Sequence, residues 1–547
     1  MPILDRETTY IMRTKNIFPS IEHLPEPNFI KKPLRQVEFL INGIIEKWNG
    51  PFEKVYSPVY GVDEEKAVNE IGSYPLLSGC VALKALDAAR KAYDSGRGEW
   101  PAMSVESRIE HIRRFVIKMK SKREEVVQLL MWEIGKSRKD SEKEFDRTVD
   151  YINDTIEALK QLDRISSRFT ISQGIIAQVR RAPLGVVLCM GPYNYPLNET
   201  FTTLLPALIM GNTVIFKPPK MGVLLHKPLL DAFAESFPAG VINTVYGDGQ
   251  EVIAPLMESG FVDVLAFIGS SKVADILKKQ HPKPHRMKSI LGLEAKNPAI
   301  ILPDADMDQA INECVTGALS YNGQRCTALK ILFVHDSVYD DFVGRFKDEV
   351  EKLKVGLPWD KDVQITPLPE PGKTEYLDSL VNDATEKGAK LLNNYKEKSD
   401  FSFFFPAIVS GVKSNMRLYH EEQFGPVIPI VKYSNLDEPL EYVVNSNYGQ
   451  QASIFGENTS EIARLVDTLV NQVCRVNINS QCQRGPDELP FTGRKDSAEG
   501  TLSVSDALRV FSIRTLVALK ETAGNKEILT DILKENRSTF LSTDFIF

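Results

Sequence analysis

A thiol follows a guanidinium in the stretch Tyr321-Asn322-Gly323-Gln324-Arg325-Cys326-Thr327-Ala328-Leu329-Lys330. The thiolate is the attacking form of cysteine and a neighbouring positive charge favours it, so Cys326 is a candidate nucleophile with Arg325 as its aid. The plainer reading is a small buried hydrophobe, the common fate of a lone cysteine. Asn194 lies in Gly191-Pro192-Tyr193-Asn194-Tyr195-Pro196. Its amide suits a developing oxyanion, and equally an Asx turn. Lys217 and Lys220, in Lys217-Pro218-Pro219-Lys220, suit ribose hydroxyls and phosphate, and equally a solvated loop. Gly247-x-Gly249 is half of a dinucleotide fingerprint, because Val252 occupies the third glycine position.

Such groups meet only if strands end near one another, and the pattern predicts that. Strand-like apolar runs at Gly185–Met190, Thr213–Phe216, Val241–Tyr246 and Val264–Ile268 alternate with helical segments at Asn198–Met210, Gly222–Phe237, Gln250–Glu258 and Ser270–Lys279. Continuous apolar strands between helices predict a parallel, doubly wound sheet, with ligands at the carboxyl ends of its strands. A second α/β unit is expected from strands at Ala299–Leu302 and Ile331–His335 and helices at Met307–Ser320 and Val338–Lys354, with Cys326 on a loop between. Upstream, a surface arm over residues 1–60 with a helix near Gln36–Trp48 precedes helical signal at Cys80–Gly96. A long helical run follows from an N-cap at Ser104 to about Leu162, interrupted at Gly135. A hairpin is expected over Phe169–Val179, a closing β excursion over Thr501–Leu519, and a tail with one helix beyond it.

The totals narrow the function class. The 547 residues exceed one simple core. The 66 Lys and Arg against 73 Asp and Glu give a net charge of −7, which speaks against nucleic acid and against a polybasic membrane surface. The six scattered cysteines form no C-x-x-C pair and no His/Cys metal spacing. They suggest reduced thiols and a cytoplasmic protein. No apolar run reaches the ~18–20 residues of a membrane span, and the N-terminus has no secretory pattern.

Six motifs taken together resemble the aldehyde dehydrogenase superfamily in order and spacing: Gly191-Pro192-Tyr193-Asn194-Tyr195-Pro196, Phe216-Lys217-Pro218, Phe267-Ile268-Gly269-Ser270, Ala295-Lys296-Asn297-Pro298, Gly323-Gln324-x-Cys326 and Glu421-Glu422-Gln423-Phe424-Gly425-Pro426. The resemblance spans roughly Leu83 to Leu519. It implies that family's α/β fold: an N-terminal arm and helical part of the cofactor domain (1–167), an oligomerisation hairpin (168–184), a Rossmann-like cofactor domain (185–293), a catalytic domain (294–500), an oligomerisation strand (501–520) and a tail (521–547). It also implies a homodimer or homotetramer. In the chemistry it implies, Cys326 attacks an aldehyde, and Asn194 and the Cys326 N–H hold the oxyanion. Hydride passes to a nicotinamide, and water releases an acid from the thioester. Lys217 would hold the adenosine ribose, Gly249, Gly269 and Ser270 the dinucleotide backbone, and Glu422 and Phe424 the nicotinamide ribose. Many NAD-preferring relatives carry a glutamate where this chain has Lys220, and an ammonium attracts a 2′-phosphate, so the expected cofactor is NADP.

The branch most resembled is the non-phosphorylating glyceraldehyde-3-phosphate dehydrogenases. Their phosphate-binding positions map onto Arg147, Tyr195, Arg325 and Arg484, and guanidinium matches phosphate bidentately. Each arginine alone would read as a surface ion pair. The expected substrate is therefore a small phosphorylated aldehyde, with glyceraldehyde 3-phosphate oxidised to 3-phosphoglycerate. The chain departs from the family at one point: the general-base glutamate of Glu-Leu-Gly-Gly-Lys falls on Gly292, in Leu291-Gly292-Leu293-Glu294-Ala295-Lys296. Glu294, two residues on and roughly 6.6 Å along an extended chain, is expected to serve as base. It reads otherwise as a structural residue. Without a base, the thioester passes instead to coenzyme A, as in an acylating semialdehyde dehydrogenase. A third reading is an idle oligomeric scaffold that keeps the fold.

Overall fold

The computed structural model describes Phe18, residues 33–59 and residues 70–546. Two parallel sheets dominate. The first has the order Ile242–Thr244, Thr213–Lys217, Val186–Met190, Val264–Ile268, Lys288–Gly292 and Ala498–Glu499. All neighbours are parallel except the last pair. Val186–Met190 is buried at every position and Val264–Ile268 at all but its last, as strands covered on both faces must be. The strand order reverses between these two, so the crevice at their carboxyl ends is the expected ligand site.

The second sheet runs Lys390–Leu391, Ala407–Ser410, Val427–Tyr433, Leu329–His335, Asn297–Ile301, Gln451–Phe455 and Arg475–Ile478. Only its first pair is antiparallel. Cys326 sits on the connection into Leu329–His335, as the α/β alternation predicts.

A third, antiparallel sheet joins Phe169–Ser172, Ile175–Pro183 and Ser512–Lys520, with Ser512 opposite Pro183 and Lys520 opposite Ile175. The expected hairpin is present, turning at Gln173 and Gly174, both at positive φ. The tail folds back on it: Gln178 Nε2 donates to Ser542 O at 2.6 Å and Arg180 Nη1 to Phe540 O at 3.1 Å. The tail's one helix is Ala523–Lys534.

Helical expectations hold upstream. Ser104 Oγ accepts from Ser107 N–H and caps Val105–Lys120, while Gly135 at φ 65° closes Arg123–Ile134 before Arg138–Ser166 begins. Two expectations fail. Gln36–Trp48 is a hairpin of Glu38–Ile41 and Ile44–Lys47. Asn42 at φ 53° and Gly43 at φ 76° form the turn between them, the geometry that Asn-Gly favours in a two-residue hairpin loop. Thr501–Leu519 is only half β: Val504–Val510 is a helix that buries Val504, Ala507 and Leu508 before Ser512–Lys520 starts. Of the expected arm over residues 1–60, residues 1–17, 19–32 and 60 lie outside the described residues. No helix among the described residues is long and apolar enough to cross a membrane.

Candidate active site

At the reversal of strand order lies a cavity of about 640 Å³. One wall is the turn Pro192-Tyr193-Asn194 after Val186–Met190, and the facing wall is Ile268-Gly269-Ser270 after Val264–Ile268. Gly292, Leu293 and Glu294 form its floor toward the second sheet, where Cys326, Glu422, Phe424 and Gln450 also reach it. Cys326, Asn194, Glu294, Gly269, Ser270, Glu422 and Phe424 thus share one space.

The nucleophile loop is fixed by backbone geometry. Tyr321 and Asn322 adopt φ 50° and 55°, followed by Gly323 at 69°. A Cβ at Gly323 would lie 2.7 Å from Ala318 O and 2.9 Å from Gly425 O, so only glycine lets the Cys326 loop pack on the Glu421–Pro426 loop. Lys296 ties the same loops from below, donating to Glu421 O (2.7 Å) and Gln423 Oε1 (2.6 Å). Asn297 Nδ2 donates to Cys326 O (2.7 Å) and Ala328 O (3.1 Å). Burial pushes the Lys296 ammonium down to about 7, the Lys330 charge adds to this, and Glu422 and Glu421 oppose it.

Cys326 is partly exposed in the cavity. Burial pushes its thiol up and the Glu199 charge adds to this, while Lys330, a hydrogen bond with Gln450 and Arg484 pull it down. The cations that favour the thiolate are therefore Lys330 and Arg484. The expected aid from Arg325 is not seen. Its guanidinium donates to Gly317 O at 2.8 Å, and its charge acts on Cys482 instead. A side chain next in sequence points away from its neighbour in such a turn, and local spacing did not reveal this.

Asn194 is nearly buried, and its Nδ2 donates to Gln324 O at 2.9 Å, one residue from Arg325-Cys326. That bond sets the amide beside the nucleophile loop and leaves its second N–H for an oxyanion. Beneath it runs a buried ion pair. Lys136 Nζ donates to Asn194 O at 2.7 Å and to Glu144. Glu144 Oε1 accepts from the N–H groups of Leu197 (3.0 Å) and Asn198 (3.1 Å). Lys136 Nζ also sits 3.8 Å from the Tyr195 ring centroid and 4.3 Å from that of Tyr321, a cation–π arrangement. Burial pushes the Lys136 ammonium down and Glu144 pushes it back.

Of the expected cofactor positions, Gly269, Ser270, Glu422 and Phe424 line the cavity, while Lys217, Lys220 and Gly249 are not among its lining residues. Ser270 Oγ caps Ser271–Gln280 through Val273 N–H, so a helix N-terminus faces the cavity, the place for an anion. A Cβ on Gly269 would meet the Phe267 ring at 2.4 Å, while nothing lies within 4 Å of one on Gly249. Burial pushes the Lys217 ammonium down to about 8, with Asp248 opposing and Lys220 reinforcing. Lys220 is well exposed, 4.0 Å from Glu53. Glu422 pairs with Lys330 and accepts from Ala295 N–H at 3.1 Å. Phe424 holds φ 43°, and its ring meets Tyr193 edge-on at 5.9 Å between centroids.

Glu294 reaches the cavity but is engaged there: Oε1 and Oε2 lie 3.1 and 2.9 Å from Ser271 N, accepting its N–H. The four positions expected to hold phosphate are only loosely gathered. Arg325 and Arg147 both act on the Tyr195 phenol, which burial pushes up. Arg147 makes a bidentate pair with Asp487 (3.0 and 2.7 Å), and Arg484 Nε lies 3.3 Å from the same carboxylate. Arg484 also binds Glu199 and donates to Leu502 O at 3.1 Å. None of the four lines the Cys326 cavity. Sequence reasoning missed Glu199, Gln450, Lys330 and the Lys136–Glu144 pair. No local motif marks them, although Glu199 lies in the first turn of the helix that follows the Asn194 turn.

Comparison with known proteins gives a consistent picture. Residues 63–516 match the aldehyde dehydrogenase family. The NADP-dependent glyceraldehyde-3-phosphate dehydrogenase of Streptococcus equinus is 35% identical over 474 residues, covering 86% of this chain and 94% of that one. The protein of the same name from Pisum sativum is 32% identical over 79% of this chain and 86% of its own. Among solved structures, the NADP-dependent glyceraldehyde-3-phosphate dehydrogenase of Bacillus halodurans C-125 complexed with NADP superposes with a TM-score of 0.81 at 32% identity, covering 89% of this chain and all of that one.

Proposed function

The chain belongs to the aldehyde dehydrogenase family, and from that premise we propose that it oxidises glyceraldehyde 3-phosphate to 3-phosphoglycerate with NADP and water, through a thioester on Cys326. The observation that carries the reading is one cavity lined jointly by Cys326, Asn194, Gly269, Ser270, Glu422 and Phe424. A nucleophile, an oxyanion donor and a dinucleotide cradle in one space suit oxidation of an aldehyde through a thioester.

Each residue then has its task. The Cys326 thiolate, favoured by Lys330 and Arg484, adds to the aldehyde carbon. The free N–H of Asn194 and the Cys326 N–H receive the oxyanion. Lys330 holds Glu422, which with Phe424 orients the nicotinamide ribose, and the helix starting at Ser271 faces the pyrophosphate. NADP, when bound, accepts the hydride. Lys217 and exposed Lys220 offer positive charge for a 2′-phosphate. The chemistry of this donor set suits that group, since an NAD-preferring site would present a carboxylate near the ribose.

The phosphorylated substrate is supported by relatives whose names carry glyceraldehyde 3-phosphate. Assembly as a homodimer or homotetramer through the third sheet is supported by apolar side chains left exposed there, Ile171, Ile513 and Leu516. Six free cysteines suit a cytoplasmic setting. The test is a panel of aldehydes with and without phosphate, each with NAD and NADP, with and without coenzyme A. The proposal expects the highest kcat/KM for glyceraldehyde 3-phosphate with NADP and no gain from coenzyme A. Turnover that requires coenzyme A would establish the acylating alternative, which Gly292 favours by bringing no carboxylate. No turnover with any aldehyde would leave the scaffold reading.

A further inference from the structure

Hydrolysis of a thioester on Cys326 needs a proton acceptor beside the acyl carbon, and Gly292 provides none. Among the described residues, four carboxylates line the cavity: Glu199, Glu294, Glu370 and Glu422. Each of the last three has its own polar partners. Glu422 pairs with Lys330 and caps Ala295 N–H. Glu370 lies 3.1 Å from Lys373 Nζ and accepts from Tyr193 Oη at 3.4 Å. Both oxygens of Glu294 face Ser271 N–H.

Glu199 is different. It is 8% exposed, and among carboxylates its charge bears most on Cys326. Arg484 fixes its Oε2, and Glu199 stands in the first turn of the helix Asn198–Ile209, five residues after Asn194. Its backbone is as well held as its side chain. Glu199 N–H donates to Tyr195 O at 3.1 Å, and the preceding N–H groups of Leu197 and Asn198 are anchored on buried Glu144. Asn194 therefore stands on the turn that leads into the helix Asn198–Ile209 and Glu199 in that helix's first turn, and the bonds to Glu144 hold the oxyanion donor and the carboxylate relative to each other.

We propose that Glu199 is the general base that releases the product, with Arg484 as its positioning residue. This rests on the thioester reading above. A water oxygen adds to the acyl carbon while one water proton passes to Glu199. The C–O bond forms, and the carbonyl π pair moves onto the oxygen faced by Asn194. Collapse of that adduct breaks the C–S bond and returns Cys326 as thiolate. The proton on Glu199 then leaves to solvent. The acyl carbon is already at the acid oxidation level, so no oxidant is consumed.

Glu199→Gln keeps an acceptor for Arg484 and removes the base. Rapid mixing with NADP and glyceraldehyde 3-phosphate reads both half-reactions. The expected result is a first-turnover NADPH burst within about threefold of the unaltered protein and a steady-state rate lower by about 10² or more, the usual worth of a general base. Intact mass should show the acyl group accumulating on Cys326, and Glu199→Asp should recover part of the steady-state rate. Glu294→Gln should accumulate no such adduct. A second readout needs no substrate: with the Glu199 charge gone, iodoacetamide should alkylate Cys326 faster at pH 7. A Glu199→Gln steady-state rate within threefold of the unaltered protein, adduct accumulation in Glu294→Gln instead, or unchanged alkylation would each overturn the proposal. An unaltered protein that reduces no NADP with any aldehyde would instead refute the thioester reading itself.

Discussion

Removing the charge of Lys136 should damage both the fold and the oxyanion site, and removing its partner as well should undo much of the damage to the fold. Lys136 and Glu144 side chains expose no surface. Lys136→Met leaves a buried carboxylate whose remaining donors, among the described residues, are the N–H groups of Leu197 and Asn198. Breaking one half of a buried pair costs about 3–5 kcal/mol. Two backbone donors remain, which places this case near 3 kcal/mol. Lys136→Met with Glu144→Gln leaves no stranded charge. It loses hydrogen bonds and the cation–π contacts of Lys136 with Tyr195 and Tyr321, a cost of about 1–2 kcal/mol. The double variant should thus be more stable than the single one. The Lys136 bond to Asn194 O, at 2.7 Å, is lost in both, and kcat should fall about tenfold or more in both, since a lost oxyanion donor costs about 10²–10³. Urea unfolding of the four proteins of the cycle, with kcat for each, measures this. A Lys136→Met variant within about 1 kcal/mol of the unaltered protein would refute the reasoning, and so would a double variant destabilised by the sum of the singles.

With the Lys217 ammonium pushed down to about 8, its charge is present below that pH and lost above it, so KM for NADP should rise as pH passes 8, and Lys217→Met should flatten the profile. The unfolded chain keeps that proton to about 10.5, so this residue's contribution to stability increases with pH between about 8 and 10.5. Lys220→Glu should lower the NADP-to-NAD ratio of kcat/KM about tenfold or more, since a charge pair in water at 4 Å is worth about 1 kcal/mol and the 2′-phosphate is close to a dianion; an unchanged ratio would remove Lys220 from the cofactor site. Gly323→Ala should cost about 1–3 kcal/mol in unfolding free energy and lower kcat, because its φ of 69° and its contacts with Ala318 O and Gly425 O leave no room for Cβ.

The doubly wound sheet was legible because most of its strands are apolar runs, followed by glycine or proline at Gly191, Pro218, Gly247 and Gly269. The residues lining the cofactor side of the cavity were legible for the same reason, as they are the strand ends themselves. The Gln36–Trp48 hairpin was missed because its apolar spacing also fits a helix, although Asn42-Gly43 carried the turn signal. The base was harder to find. Glu199 gains its setting from Arg484, 285 residues away, and no local period records such a pair. The direction of Arg325 depends on the carbonyls of Thr316 and Gly317 at the end of the preceding helix, so adjacency in sequence to Cys326 was a poor guide to adjacency in charge.

The central claim is that Cys326 carries an aldehyde to an acid within this cavity. Product analysis tests it most directly: purified protein with glyceraldehyde 3-phosphate and NADP, in buffer free of inorganic phosphate and coenzyme A. One 3-phosphoglycerate per NADPH, with neither formed by Cys326→Ala, is the predicted result. NADPH formed undiminished by Cys326→Ala, or formed only when inorganic phosphate or coenzyme A is supplied, would contradict it.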